Sequence, residues 1–229
     1  METLIVWSPA TPLPALERRL GTEATRQLAD AVFDDLLATG VRWRETRIAA
    51  DFNRRLVVVA PASEQGRLGP RVDAAGARLE RARGDGDEAI AHAFADEFER
   101  GARAVALIGL VAPTVRAHHL DHAFRALQFE RLVVGPAFDG GTWLVGAQRP
   151  APASIGALPP GRPGALLDRE QALREAGDTV HLLPFWYTLD DDLERLAWHL
   201  RQASPERDPC APRTRDALAR LPTPPTPRS

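Results

Sequence analysis

The 229-residue chain has one cysteine, no surplus of charge and no long apolar run, and each absence removes a class of function. Cys210 has no partner for an internal disulfide, which argues for a reducing compartment over a secreted, cross-linked scaffold. Basic residues number 29 and acidic residues 31, for a formal net charge of -2, so the basic excess of a general nucleic-acid binder is missing. No apolar stretch approaches the roughly 20 residues needed to span a bilayer. The opening METLIVWSPATP puts Glu2 where a signal peptide carries positive charge. These absences predict a cytoplasmic protein that binds neither nucleic acid nor membrane. The basic side chains are all arginine, a compositional bias that carries no functional weight.

What is present is an ordinary globular composition, 44% apolar and 26% charged, in a chain long enough for one well-buried domain. Thr3–Trp7, Leu56–Ala60, Ala104–Gly109, Leu132–Gly135, Thr142–Val145 and Thr179–Pro184 read as strands, and Thr46–Asp51 as another. Helical spacing runs from Ala15 to Thr39 with Gly40 as its stop, Gly21-Thr22 being a point where it divides. Further helices are expected over Glu88–Arg100, Arg116–Leu127, Ala165–Ala176 and Asp191–Gln202, with Gly66–Gly86 mostly loop around a strand near Ala77–Glu80. Strands alternating with helices predict a three-layer α/β/α sandwich on a mainly parallel sheet. The domain is expected to span residues 1–202. Residues 203–229, rich in Pro and Arg with little to bury, read as a disordered tail.

In such folds chemistry sits in loops at strand ends. Two of them stand out. The strand at Ala104–Gly109 runs into Leu110-Val111-Ala112-Pro113, without a metal ligand, whereas that at Leu132–Gly135 runs into Asp139-Gly140-Gly141. The two glycines permit positive φ and close backbone approach to a ligand, and Asp139 can accept hydrogen bonds from sugar hydroxyls; an Asp-Gly turn between strands is the plainer alternative.

Three segments carry a family resemblance: VALIG (Val105–Gly109), VVGPAFDGGTWLVG (Val133–Gly146) and LLPFWYTLDDDLERL (Leu182–Leu196). In order they resemble bacterial glycosyltransferase-like proteins associated with radical-SAM and selenium-type domains, long catalogued as a domain of unknown function. That family has the GT-A nucleotide-diphospho-sugar transferase fold and is related to molybdenum-cofactor guanylyltransferases. The resemblance covers Thr3 to Gln202 and is most specific in the middle segment, which is similar to the family's G-P-A-x-D-G-G-Y-x-L-[IL]-G. The outer motifs depart from it. The aspartate of V-x-I-G-[ST]-D-x-P falls on Val111, although Pro113 is kept. The first aspartate of D-V-D falls on Thr188, and Asp190 is kept. The family's P-G-x-x-K-T-R-L phosphate loop corresponds to Pro14-Ala15-Leu16-Glu17-Arg18-Arg19-Leu20, where only Arg19-Leu20 match and Glu17 stands in place of lysine.

The resemblance implies transfer from a nucleotide-activated sugar, with Mg²⁺ or Mn²⁺ on carboxylates neutralising the diphosphate leaving group. Valine has no oxygen to offer, and a glutamate beside a polyanion acts in the repulsive direction. All three losses bear on that same step. The expected function is therefore a divergent member that has lost its metal-dependent site and is inactive or repurposed, without an assigned cofactor. Mg²⁺ or Mn²⁺ enters only if the site is rebuilt. The alternative is an active transferase with a metal-independent site, Arg18 or Arg19 facing the diphosphate. Asp139 is the catalytic candidate, and Arg19, Asp139, Gly140, Gly141, Trp143 and Asp190 are the substrate-binding candidates, for a nucleotide or nucleotide-sugar; a protein partner is the other candidate occupant.

Asp190-Asp191-Asp192 is read more simply as a helix cap, His118, His119 and His122 as a surface cluster, and Gly84–Asp87 as a site-lining loop at most. The two functional readings divide on one point: carboxylates reach the space left by Val111, or Leu110, Val111 and Phe138 fill it.

Overall fold

The computed structural model describes residues 1–9, 14–46, 53–150, 155, 160, 164, 166, 180–189, 193, 196–197, 200 and 210–221. Apolar runs build the sheet. Strands β1 (Glu2–Trp7), β2 (Arg54–Ala60), β3 (Arg78–Arg81), β4 (Ala104–Gly109), β5 (Leu132–Pro136), β6 (Thr142–Gln148) and β7 (Val180–Leu182) lie in the order β3-β2-β1-β4-β6-β5-β7. β1 pairs in parallel with β2 and β4, β2 with β3, and β5 with β7; β6 alone runs antiparallel, between β4 and β5. The continuous Val, Ile and Leu runs follow from burial on both faces. Leu4, Val6, Val58 and Ile108 enter one core with helices α2 (Thr22–Glu45), α3 (Gln65–Ala74) and α5 (Ala117–Ala126). Ile5, Val57, Leu107 and Val134 enter the other, against Ile90, Phe94 and Phe98 of α4 (Gly86–Glu99). The expected mainly parallel α/β sandwich is thus observed. Among the described residues no helix is long and apolar enough to cross a membrane.

The helical stretch divides at Gly21, the point read from the sequence: α1 (Pro14–Leu20) is separated from α2 by Gly21, whose φ is 79°. Other elements differ from the sequence reading. α2 continues through Gly40 to Glu45, because Gly40 serves close packing and not termination: a Cβ there would lie 2.7 Å from Leu56 Cδ1 on β2. Residues 65–74, expected as loop, form α3 despite Pro70; Leu68 and Val72 reach the core, and Arg71 donates to Asp34 Oδ1 on α2 at 2.8 Å. The strand expected at Thr46–Asp51 and the helix at Ala165–Ala176 fall mostly outside the described residues, as do Asp190-Asp191-Asp192.

The tail expectation is corrected for residues 210–221. Pro212–Arg220 is a helix, α6, seated on α2. Asp35, buried in α2, accepts the Thr214 N–H at 2.7 Å and the Thr214 hydroxyl at 2.8 Å, so an N-cap for α6 comes from 179 positions away. Leu218 and Ala211 join the α2 side of the core. Residues 203–209 and 222–229 lie outside the described set.

At the amino ends of β1 and β2 lies a cluster of buried charges. The Arg54 guanidinium donates to Asp121 Oδ1 at 2.7 Å, pairs with Glu2 at 3.3 Å and lies 4.8 Å over the Trp43 ring. Burial raises the Glu2 carboxyl above its ordinary value, against the opposing pull of Arg54.

Candidate functional site

The opposite edge, where β1, β4, β5 and β7 end, is where ligands bind in open α/β sheets. Trp7 stands opposite Gly109 at the ends of β1 and β4. Beyond β5 and β7 the chains stay side by side: Leu183 N–H donates to Val134 O at 2.8 Å, Trp186 N–H to Pro136 O at 3.0 Å, and Ala137 bridges Trp186.

Between β5 and β6 the chain reverses over residues 137–141. Ala137 N–H donates to Gly141 O at 2.9 Å and Gly140 N–H to Ala137 O at 3.0 Å. Gly140 has a φ of 77°, a region that favours glycine. Asp139 Oδ1 accepts the Gly141 N–H at 2.8 Å, the contact by which aspartate stabilises a turn. Its other oxygen, Oδ2, is buried without a hydrogen-bond partner among the described residues. Gly164 N–H donates to Asp139 O at 3.1 Å and Leu166 N–H to Gly140 O at 3.0 Å, so the later chain is laced onto this turn.

The loop after β4 is apolar in space as in sequence. Leu110, Val111 and Ala112 are all at most 6% exposed and belong to the α2 side of the core. Leu189 N–H donates to Val111 O at 2.8 Å, and Pro160 Cβ sits 2.8 Å from where a Cβ on Gly109 would stand. Leu110 and Val111 are thus packed among core side chains, with Pro160 against Gly109. Phe138, expected to help fill the space of the missing aspartate, instead points outward at 52% exposure. The Thr188 hydroxyl oxygen is buried without a partner among the described residues. Asp190 lies outside the described residues.

Trp143, a sequence candidate for ligand stacking, is 2% exposed and packs across Gly135, where a Cβ would fall 2.6 Å from Nε1. Its Nε1–H donates to Pro184 O at 3.4 Å. The ring is a core element with no open face for a sugar. Arg18 and Arg19 are exposed in the last turn of α1, not at a helix start, because Gly21 ends that helix early. A helix carboxyl end does not favour a phosphate. The loop joining Pro9 to α1, residues 10–13, is outside the described set. Gly84–Asp87 leads from edge strand β3 into α4.

His118 and His122 are exposed, as expected of a surface cluster, but His119 is half-buried beside Trp186, with ring centroids 4.4 Å apart. Its Nδ1 accepts the Arg116 N–H at 3.1 Å, capping α5 and leaving Nε2 to carry the proton. Burial first, then the neighbouring His118, Arg116 and His122 charges, lower its pKa to about 4. Among the described residues no three His, Cys, Asp or Glu side chains are grouped to hold a metal ion.

One grouping escaped the sequence reading. Phe138 lies beside Phe185 and Tyr187, with ring centroids 5.6 and 4.8 Å apart and planes inclined by 34° and 33°. The signal was the alternation in Phe185-Trp186-Tyr187, in which Trp186 donates to Thr114 Oγ1 at 2.8 Å while Phe185 and Tyr187 lie beside Phe138.

Comparison with known proteins bears on the fold. A family model described as "Uncharacterized protein conserved in bacteria (DUF2064)" matches residues 45–161. A proposed nucleotide-diphospho-sugar transferase from Desulfovibrio desulfuricans G20 superposes with a TM-score of 0.74 at 21% identity, covering 96% of each chain. A 4-diphosphocytidyl-2C-methyl-D-erythritol synthase from Anaerococcus prevotii DSM 20548 gives 0.52 at 8% identity, over 81% of this chain and 89% of that one. A cytidylyltransferase from Leptospira borgpetersenii serovar Hardjo-bovis also gives 0.52, at 11% identity, over 95% and 93%. No curated protein matches the chain by sequence.

Proposed function

We propose, for a chain that belongs to the DUF2064 family of uncharacterized bacterial proteins and carries a nucleotide-diphospho-sugar transferase-like fold, a repurposed binding role in which the metal-dependent transferase site has been lost. The observation that carries this reading is the apolar filling of the strand-end loop. Leu110, Val111 and Ala112 offer no oxygen ligand and are packed into the core. A divalent cation needs several hard oxygen ligands. Thr188 supplies a buried hydroxyl, and Asp139 commits one oxygen to Gly141. These residues do not fit Mg²⁺ or Mn²⁺, and no step is derived through either.

What remains is suited to recognition. The Asp139 turn offers the backbone of Gly140 and Gly141, where the absence of side chains lets a hydroxyl-bearing ligand such as a nucleotide-sugar approach closely. Asp190, one residue beyond the Leu189 contact with Val111, is the further carboxylate to examine.

A thermal-shift screen of nucleotides and nucleotide-sugars, each with and without Mg²⁺ and Mn²⁺, tests the proposal, since a ligand that binds only the folded state raises the melting temperature. The expected result is a shift that metal does not change, or none. A shift that requires metal, together with sugar release from the same donor, overturns it in favour of a rebuilt transferase site.

A further inference from the structure

We propose that His122 and His181 form a two-imidazole site for a late first-row transition-metal ion such as Zn²⁺, which clasps helix α5 to strand β7. The site uses none of Val111, Asp139 or Thr188, so it is independent of the nucleotide reading.

The chain has six histidines, and four of them, His118, His119, His122 and His181, gather where α5 meets β7. The first three are on α5, and His181 is the middle residue of β7, the last strand of the described sheet. The rings of His122 and His181 come together with centroids 5.9 Å apart and planes inclined by 72°. Hydrogen bonding separates these two from the rest. His119 Nδ1 accepts the Arg116 N–H and its ring packs on Trp186, so it serves the fold. His92, on α4, has Nδ1 bonded to Arg83 O. Among the described residues neither His122 nor His181 has a hydrogen bond, and His122 is exposed. Two polar rings meeting within reach of water do little for packing that apolar rings would not do better.

What the pair offers is ring nitrogens able to coordinate, and neutral imidazole suits zinc, nickel and copper. Two imidazoles bonded to one tetrahedral ion at about 2.0–2.1 Å have ring centroids about 5 Å apart. Side-chain rotation closes the observed 5.9 Å to that separation, and water takes the remaining positions. The surrounding charge selects the class of ion. Arg116 and Arg125 flank the histidines on α5, and Asp121, the acid of that helix, is committed to Arg54. A hard cation such as Mg²⁺ or Ca²⁺ therefore finds no available carboxylate on α5. A late transition metal bonds to the nitrogen lone pair and needs none. Bound there, it ties a three-residue strand, paired with β5 among the described strands, to the helix layer beside it.

Calorimetric titration of the full chain with ZnCl₂, paired with NMR of the imidazole signals, tests this. One zinc ion per chain is expected, with a dissociation constant on the order of 10 µM, far weaker than a four-ligand structural site. The His122 and His181 ring signals should shift together, a readout on the parent chain that needs no variant. H122Q and H181Q should each weaken binding about thirtyfold, and H92Q should leave it unchanged. At about 0.2 mM zinc the parent should melt about 4–7 °C higher, and either variant about 1 °C higher. No binding below about 1 mM, or binding that leaves the His181 signal unmoved, overturns the proposal. So does binding that survives in both variants. Binding that H118Q abolishes and H181Q does not overturns it as well, because it places the ion between His118 and His122, one helical turn apart.

Discussion

Replacing Val111 with aspartate restores the side chain that the resemblance calls for, and the two views of this site give opposite outcomes. Val111 is 6% exposed, packed among the side chains on the α2 face of the sheet, with its carbonyl held by Leu189 N–H at 2.8 Å. Removing the valine forfeits about 1.5–2 kcal/mol of apolar burial. Placing a carboxylate there adds the cost of an unpaired buried charge, lessened as the loop relaxes toward water; together about 3–5 kcal/mol is expected. For a domain of this size each kcal/mol moves the melting temperature by about 2–4 °C, so V111D should melt about 6–20 °C below the parent chain. V111N, near in size but uncharged, should lose less. Melting followed by circular dichroism, with and without millimolar Mn²⁺ and a nucleotide-sugar, gives the readout. If V111D melts within about 2 °C of the parent and gains stability from Mn²⁺, the space is an open metal site wanting only its ligand, and the argument from packing fails.

Three further outcomes follow from the geometry. D35A leaves the Thr214 N–H and hydroxyl without their acceptor, so it should cost about 2–3 kcal/mol and speed amide exchange over residues 210–221 far more than in β4; equal exchange in both chains would refute the docking of α6. His119, with its pKa lowered to about 4, stays neutral in the fold while the unfolded chain takes up a proton as pH falls through about 6.5. Its contribution to stability is therefore complete above that pH and declines toward pH 4 by about 1–2 kcal/mol once solvent screening of the half-buried ring is allowed for, a slope that denaturant titrations should show more steeply in the parent than in H119Q. G135A drives a methyl to 2.6 Å from Trp143 Nε1, so it should cost about 3 kcal/mol and shift tryptophan emission, whereas an unchanged melt would mean that the ring moves freely.

The strands were legible because each is an unbroken apolar run, a pattern that burial on both faces demands and that needs no distant partner to interpret. The three misread helices depended on partners the local sequence does not reveal. Gly40 reads as a stop until Leu56 is seen to lie against it. Gly66, Gly69 and Pro70 read as loop, yet Leu68 and Val72 bury and Arg71 reaches the acids of α2. α6 lies in a Pro- and Arg-rich stretch whose cap is Asp35. The site divided the same way. The Asp139 turn could be read from Asp-Gly-Gly alone. The aromatic grouping could not, because Phe138 and Phe185 are 47 residues apart in sequence and meet only through the parallel pairing of β5 and β7.

The Asp139 carboxylate is the point at which folding and function separate. The turn uses one of its oxygens, on Gly141 N–H, and asparagine would serve that bond equally through its carbonyl. The second oxygen is buried and unpaired, a burden of about 1–3 kcal/mol that the turn does not require. Three other buried carboxylates have partners for their charge: Asp35 holds the α6 cap, and Asp121 and Glu2 share Arg54. At the edge where the strands end, the loop after β4 is apolar and packed. D139N keeps the turn bond through its carbonyl and replaces the buried charged oxygen with a neutral amide. If D139N melts above the parent chain, the charge is a burden on the fold that the turn does not need. If it melts below, the charge itself strengthens the bond to Gly141 N–H, and the carboxylate is explained by folding alone.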